Sequence, residues 1–208
     1  MSRLSENLIR QVCGETTPKF SLEQRTTLLG IAHAAIRSMI EGRDSAEAAP
    51  AVAGLDEPRG VFTTLYLKGA TGSGHELRGC VGYPFAVAPL YRAVAETARA
   101  AAFEDGRFLP VTIEEARRLE VSLSVLSRLF PIEPEGLEVG RHGLIISKGV
   151  RRGLLLPQVP QEYGWDREMF LAQTCRKAGL GPDAWRKDAT IEAFTAEVFS
   201  DADVKDAG

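Results

Sequence analysis

VFTTLYLKGATGSGHELRGCVGY, residues 61–83, decides the fold class. VFTTLYLKG is rich in β-branched and aromatic side chains, which suit a pleated, half-buried surface and predict a strand. ATGSGH carries enough glycine to turn the chain back. ELRGCVG then reads as the return strand, ending at Cys80. Strands joined this tightly run antiparallel, because a parallel pair needs a crossover of a dozen or more residues.

Upstream of the hairpin, SLEQ at residues 21–24 has the pattern of a helix capping box. Leu28, Leu29, Ala32, Ala35, Ile36, Met39 and Ile40 follow as one apolar stripe, and Gly42 ends it. His33 lies beside that stripe and is assigned no function. Leu4, Leu8, Ile9 and Val12 predict a further short helix over residues 3–13. Residues 42–60 read as an irregular connection.

Downstream, a helix is expected over about 87–103, with Leu90, Val94, Ala98, Ala101 and Ala102 on one narrow face. Side chains that small imply close packing on a sheet. FEDGRFLPVT is a charged turn with a proline break, in which Glu104, Asp105 and Arg107 suggest a structural network. Thr112 caps a short helix whose Glu114 and Glu115 suit the helix dipole. LEVSLSVLS alternates cleanly, with Leu119, Val121, Leu123 and Val125 on one face. LFPIEPEG and QVPQEYGW read as loops, and Leu144–Ser147 with Gly153–Leu156 as a second hairpin. Asp166 caps a helix that runs to about Ala178. TIEAFTAEVF reads as one final strand and SDADVKDAG as a polar, frayed tail. Short antiparallel pairs mixed with packed helices predict an α+β fold: a mixed, largely antiparallel sheet packed with helices.

The 208 residues suffice for one domain with its own core, burying about 70% of the unfolded surface. Twenty-five Lys and Arg against 28 Asp and Glu leave a net charge of −3, which argues against broad attraction to nucleic acid or acidic membranes. Cys13, Cys80 and Cys175 are scattered and odd in number, so a disulfide framework is not expected. His75, Cys80, His142 and Cys175 lack metal-ligand spacing, so no metal site is expected. Neither a phosphate-binding loop nor a dinucleotide fingerprint occurs, and no cofactor is expected. The N-terminus lacks the apolar run of a signal peptide, and no stretch approaches ~18 apolar residues. The cytoplasm is the expected compartment.

One cysteine stands out. Cys80 has Gly79 before it and Gly82 two residues after, so the backbone there could admit a substrate close to the sulfur. A thiolate nucleophile needs exposure and a nearby base or positive charge. His142, in GRHGL, is the candidate base. Arg78 and Arg141 adjoin these two residues and could clamp a phosphate or carboxylate if the fold unites them. A glycine bulge in this strand could re-aim Arg78 relative to the sulfur. Against this stands the ordinary burial of free cysteine and the use of glycine for packing alone.

The stretches EPRGVFTTL, ELRGCVGY, AAFEDGRFLPVT, LEVSLSVLS, VGRHGLIIS, GLLLPQVPQEYGWDREMFLAQTCRKAGL and AWR occur in the order of a known family. Through them the chain resembles the AMMECR domain family, known in prokaryotes as AmmeMemoRadiSam system protein A. The resemblance covers roughly Ser21 to Phe199. It implies a larger and a smaller lobe within one domain over 21–199, flanked by an N-terminal extension (1–20) and a tail (200–208). It implies no established reaction. It does imply association with a Memo-like protein and a radical-SAM protein. Two readings follow: an enzyme or covalent carrier centred on Cys80 and acting on a small anionic substrate, or a non-catalytic module that binds a protein partner or, as the lesser alternative, a nucleic acid. They differ in the exposure they require of Cys80.

Overall fold

The computed structural model of the chain describes residues 20–43, 49–68 and 75–205. The expected helix over 3–13 and the glycine-rich turn of the first hairpin lie outside the described residues. Helix α1 (Leu22–Ile40) starts at the expected box: the Ser21 hydroxyl accepts from the Gln24 N–H, and the Gln24 side chain accepts from the Ser21 N–H. It ends where Gly42 turns left-handed at φ +65°.

Strands β1 (Val61–Lys68) and β2 (His75–Tyr83) form the antiparallel hairpin. Helix α2 (Leu90–Phe103) follows, then the short α3 (Ile113–Ala116) capped by Thr112. Strand β3 (Leu119–Leu126) pairs with the free side of β1. Its alternation holds: Leu119, Val121, Leu123 and Val125 are buried, and Ser122 and Ser124 are half-buried on the other face. Val61, Thr63 and Leu65 join them on one face of the sheet, and α2 covers that face with α1 packed on α2. Leu55, in the irregular connection, is fully buried under this layer. Full burial of each such side chain contributes about 1.5–3 kcal/mol.

A second sheet holds β4 (Phe130–Pro131), β5 (Gly143–Lys148), β6 (Arg151–Leu155) and β7 (Thr190–Phe194) in the order β4-β7-β5-β6. Helix α5 (Arg167–Lys177), capped by Asp166, covers β5 and β6 through Phe170, Leu171 and the buried Cys175. The architecture is α+β with two four-stranded antiparallel sheets, each with its own helical cover.

The expected single last strand is two strands in two sheets. TIEAF is β7 of the second sheet, and AEVFS is β8 (Ala196–Ser200), which completes the first in the order β2-β1-β3-β8. The chain changes sheet at Thr195, and it made the opposite change at Ser127, between β3 and β4. The two crossing points are bonded. The Ser127 N–H donates to the Thr195 carbonyl at 2.8 Å, and the Thr195 N–H donates to the Ser127 hydroxyl at 3.0 Å. Leu126, Ile145 and Phe194 form a small core between the sheets beside this crossing.

Three expected loops carry structure. LFPIEPEG contains β4 and a 3-10 turn at Pro134–Gly136. QVPQE forms helix α4 (Gln158–Glu162), which Pro157 enters with helix-like torsions. The polar tail forms helix α6 (Asp201–Lys205), because the Asp203 carboxylate accepts from the Ser200 N–H at its start.

Candidate functional site

Strand β2 is an edge strand, so the outward peptide groups of Cys80 need partners from outside the sheet. The turn Asp105-Gly106-Arg107 supplies them. The Cys80 N–H donates to the Asp105 carboxylate at 2.9 Å, and an Arg107 N–H donates to the Cys80 carbonyl at 3.4 Å. Asp105 and Arg107 are joined in turn at 2.7 and 2.9 Å. An acceptor and a donor on one turn thus stand where a fifth strand would pair. The Arg107 guanidinium, and next the Cys80 N–H, hold the Asp105 carboxyl well below its usual range.

A bulge decides which way the thiol points. Lys68 pairs with His75 and Tyr66 with Leu77, yet Leu65 pairs with Gly79, so Arg78 is one residue too many. Were the register of Tyr66–Leu77 continued without a bulge, Cys80 would oppose Thr63 and enter the core. The one-residue shift sets it opposite Thr64 on the face away from the helices. The sulfur is half-buried and accepts from the Thr64 hydroxyl at 3.3 Å. Thr64 also opposes Ser122, which opposes Ser200. One half-buried row of thiol and hydroxyl groups therefore crosses all four strands on the face away from the helices.

The other expected site residues go elsewhere. Arg78 is buried, with its guanidinium forked onto Glu115 at 3.0 and 3.0 Å and onto the Pro110 carbonyl at 3.3 Å. It anchors α3 and is not a free anion clamp, and it is the chief reason the Glu115 carboxyl lies below its usual value. Gly79 and Gly82 do not open space for a substrate. A Cβ on Gly79 would stand 2.0 Å from the Ala101 carbonyl of α2, and one on Gly82 would stand 2.3 Å from the Phe62 ring. Both glycines are there for packing.

His142 stands just before β5 in the second sheet. It is 7% exposed, its Nδ1 accepts from the Glu138 N–H at 3.1 Å, and its ring meets Phe130 edge-on. Burial lowers its pKa, which keeps the imidazole neutral. Arg141 is exposed and pairs with Glu138 at 3.0 Å. Cys80 and His142 thus sit in different sheets with separate partners. The fold brings Thr64, Asp105 and Arg107 to the cysteine instead.

A cavity of about 230 Å³ lies between the two sheets, beyond the Val61–Tyr83 end of the hairpin. Arg59, Arg128 and Arg152 line it, with Phe85 as one wall, and among the described residues no carboxylate does. Glu57, behind the lining, bonds both Arg59 and Arg128, and Arg152 lies over the Phe85 ring at 4.4 Å. Sequence reasoning did not single out these arginines. Arg59 stands in EPRG, directly before β1, but the other two reach it only through the crossing at Ser127. Among the described residues no three His, Cys, Asp or Glu side chains converge as metal ligands, and no helix is long and apolar enough to cross a membrane.

A family model described as AMMECR1 matches residues 29–199. The chain belongs to the AMMECR1 family. A protein of Thermococcus gammatolerans is 50% identical over 154 residues, covering 71% of this chain and 75% of that one. A protein of Methanocaldococcus jannaschii is 42% identical over 192 residues, covering 88% and 92%. The crystal structure of an uncharacterized protein from Pyrococcus horikoshii matches with a TM-score of 0.67 at 42% identity, covering 83% of this chain and 89% of that one. The AMMECR1 match takes in Cys80, its clasping turn and the three cavity arginines. It stops short of α6, which lies past residue 199.

Proposed function

We propose that this AMMECR1 chain is a thiol-dependent enzyme or covalent carrier that uses Cys80 on a small anionic substrate. The observation that carries the reading is the bulge at Arg78, which turns the Cys80 thiol out of the core and under the Thr64 hydroxyl. The Thr64 hydroxyl fixes the direction of the sulfur on that face. The substrate's anionic group would rest in the arginine-lined cavity. Cys80 is three residues from Tyr83 at that end of the hairpin, about 10 Å along the strand.

With His142 elsewhere, the substrate must carry a leaving group that departs as an anion without protonation. In an acyl transfer the sulfur bonds to the acyl carbon, the bond to the leaving group breaks, and the thiol proton passes to water. That chemistry suits a carrier that loads and hands on a group. The Memo-like and radical-SAM proteins implied by the resemblance are the proposed sources or recipients. The separation of Cys80 from His142 favours a second reading, a non-catalytic module that binds a protein partner.

Acetyl phosphate, a small acylating anion, tests the first reading. Intact-mass and peptide mass spectrometry should find acetyl on Cys80, lost in Cys80→Ser. Acetylation confined to surface lysines, with Cys80 untouched, would sink the carrier reading and leave the binding module.

A further inference from the structure

A second, larger cavity of about 550 Å³ lies between α1, α3 and α6, and neither Cys80 nor the three cavity arginines line it. Its size falls in the range of ligand sites. One wall is the last two turns of α1, where His33, Ile36, Arg37 and Ile40 share a helix face. The opposite wall is α3 with the start of β3, which brings Ile113, Arg117 and Leu119. Helix α6 closes the end. Asp201 holds it there, accepting from the Val121 N–H and from His33 Nε2, each at 2.8 Å.

The chemistry of the lining is divided. Ile36 and Leu119 are buried and form the floor, and Ile113 is half exposed beside them. Arg37, Arg117 and Lys205 stand at the rim. The two acids of the lining are already engaged: Glu41 with Arg43, and Asp201 with His33 and the Val121 N–H. Arg37 and Arg117, by contrast, have no ion pair among the described residues. An apolar floor of this kind under two unpaired guanidiniums suits a molecule with an apolar body and an anionic head. Glu41 at the rim and Asp201 inside repel a second negative charge, which selects a monoanion over a phosphate dianion.

From this division we infer that the cleft between α1, α3 and α6 binds a small amphiphilic carboxylate, its chain on Ile36, Ile113 and Leu119 and its head on Arg37 and Arg117. The guanidinium fork matches a carboxylate in two parallel bonds. The site is independent of Cys80, and α6 gives it a wall that the AMMECR1 match does not include.

Titration of the full chain with octanoate, followed by methyl NMR and calorimetry, tests this. Octanoate should shift the methyl signals of Ile36, Ile113 and Leu119. Its affinity should fall about tenfold or more in the Arg37→Ala/Arg117→Ala double variant. Both arginines are exposed, so the variant should keep its fold, which circular dichroism checks. Octylamine should not bind. No shift at these methyls, equal affinity in the double variant, or equal binding of octylamine would each overturn the proposal, as would inorganic phosphate causing the same shifts.

Discussion

The peptide N–H of Cys80 donates to the carboxylate of Asp105, 25 positions along the chain, at 2.9 Å. With Arg107 on the carbonyl side, this clasp closes the edge of the first sheet at the residue whose thiol faces outward. It leaves the sulfur itself to Thr64. The clasp and the bulge together make the Cys80 environment, and each can be tested alone.

Removing the clasp should cost stability and change its acid dependence. Asp105→Ala loses charge-assisted bonds to the Cys80 N–H and to Arg107, and should cost about 2–3 kcal/mol in urea unfolding at pH 7. The folded carboxyl titrates below the unfolded value of 3.8. Its contribution is therefore complete above about pH 4 and is lost as pH falls further. Wild-type and variant urea midpoints should stay apart at neutral pH and converge below that point.

Glycine substitutions should have opposite signs at two positions. Gly79→Ala drives a methyl into the Ala101 carbonyl and should cost about 3 kcal/mol or more by forcing β2 off α2. Gly30, inside α1, has nothing within 4 Å of a built Cβ. Gly30→Ala should raise stability by about 0.5–1 kcal/mol. Thermal unfolding of both variants checks the contrast.

His142 should govern a different pH window. Its folded pKa lies below the unfolded value of 6.5, so the folded state resists protonation. Stability is then full above about pH 6.5 and declines as pH falls through the folded pKa. His142→Gln should flatten this decline in denaturant titrations between about pH 7 and 5.

The paired crossings should couple the two sheets. Ser127→Ala removes the acceptor for the Thr195 N–H and should cost about 1 kcal/mol. Amide exchange should quicken at Thr195 and at the Phe194 and Ala196 amides beside it, while α1 stays protected.

Much of the fold was legible because local rules govern it. The Ser21 box, the alternation of β3, the Asp166 cap and both hairpins need only neighbours in sequence. The change of sheet at Thr195 was not legible, since TIEAFTAEVF has strand character throughout and only the partners differ. The site was legible in one residue, Cys80. Its partners were hidden because a single extra residue at Arg78 inverts which side chains face each other, and periodicity cannot count a bulge. Arg78 reads as an anion clamp and His142 as a base in sequence, each beside a glycine. In space those glycines admit Ala101 and Phe194, whose ring lies 2.1 Å from where a Cβ on Gly143 would sit.

The alkylation rate of Cys80 with iodoacetamide, in a chain with Cys13 and Cys175 changed to serine, tests the central claim most directly. The account predicts labelling of the native protein, slower in Thr64→Val and unchanged in His142→Ala. Labelling only at the rate of global unfolding, or a rate that falls with His142 and ignores Thr64, would contradict it.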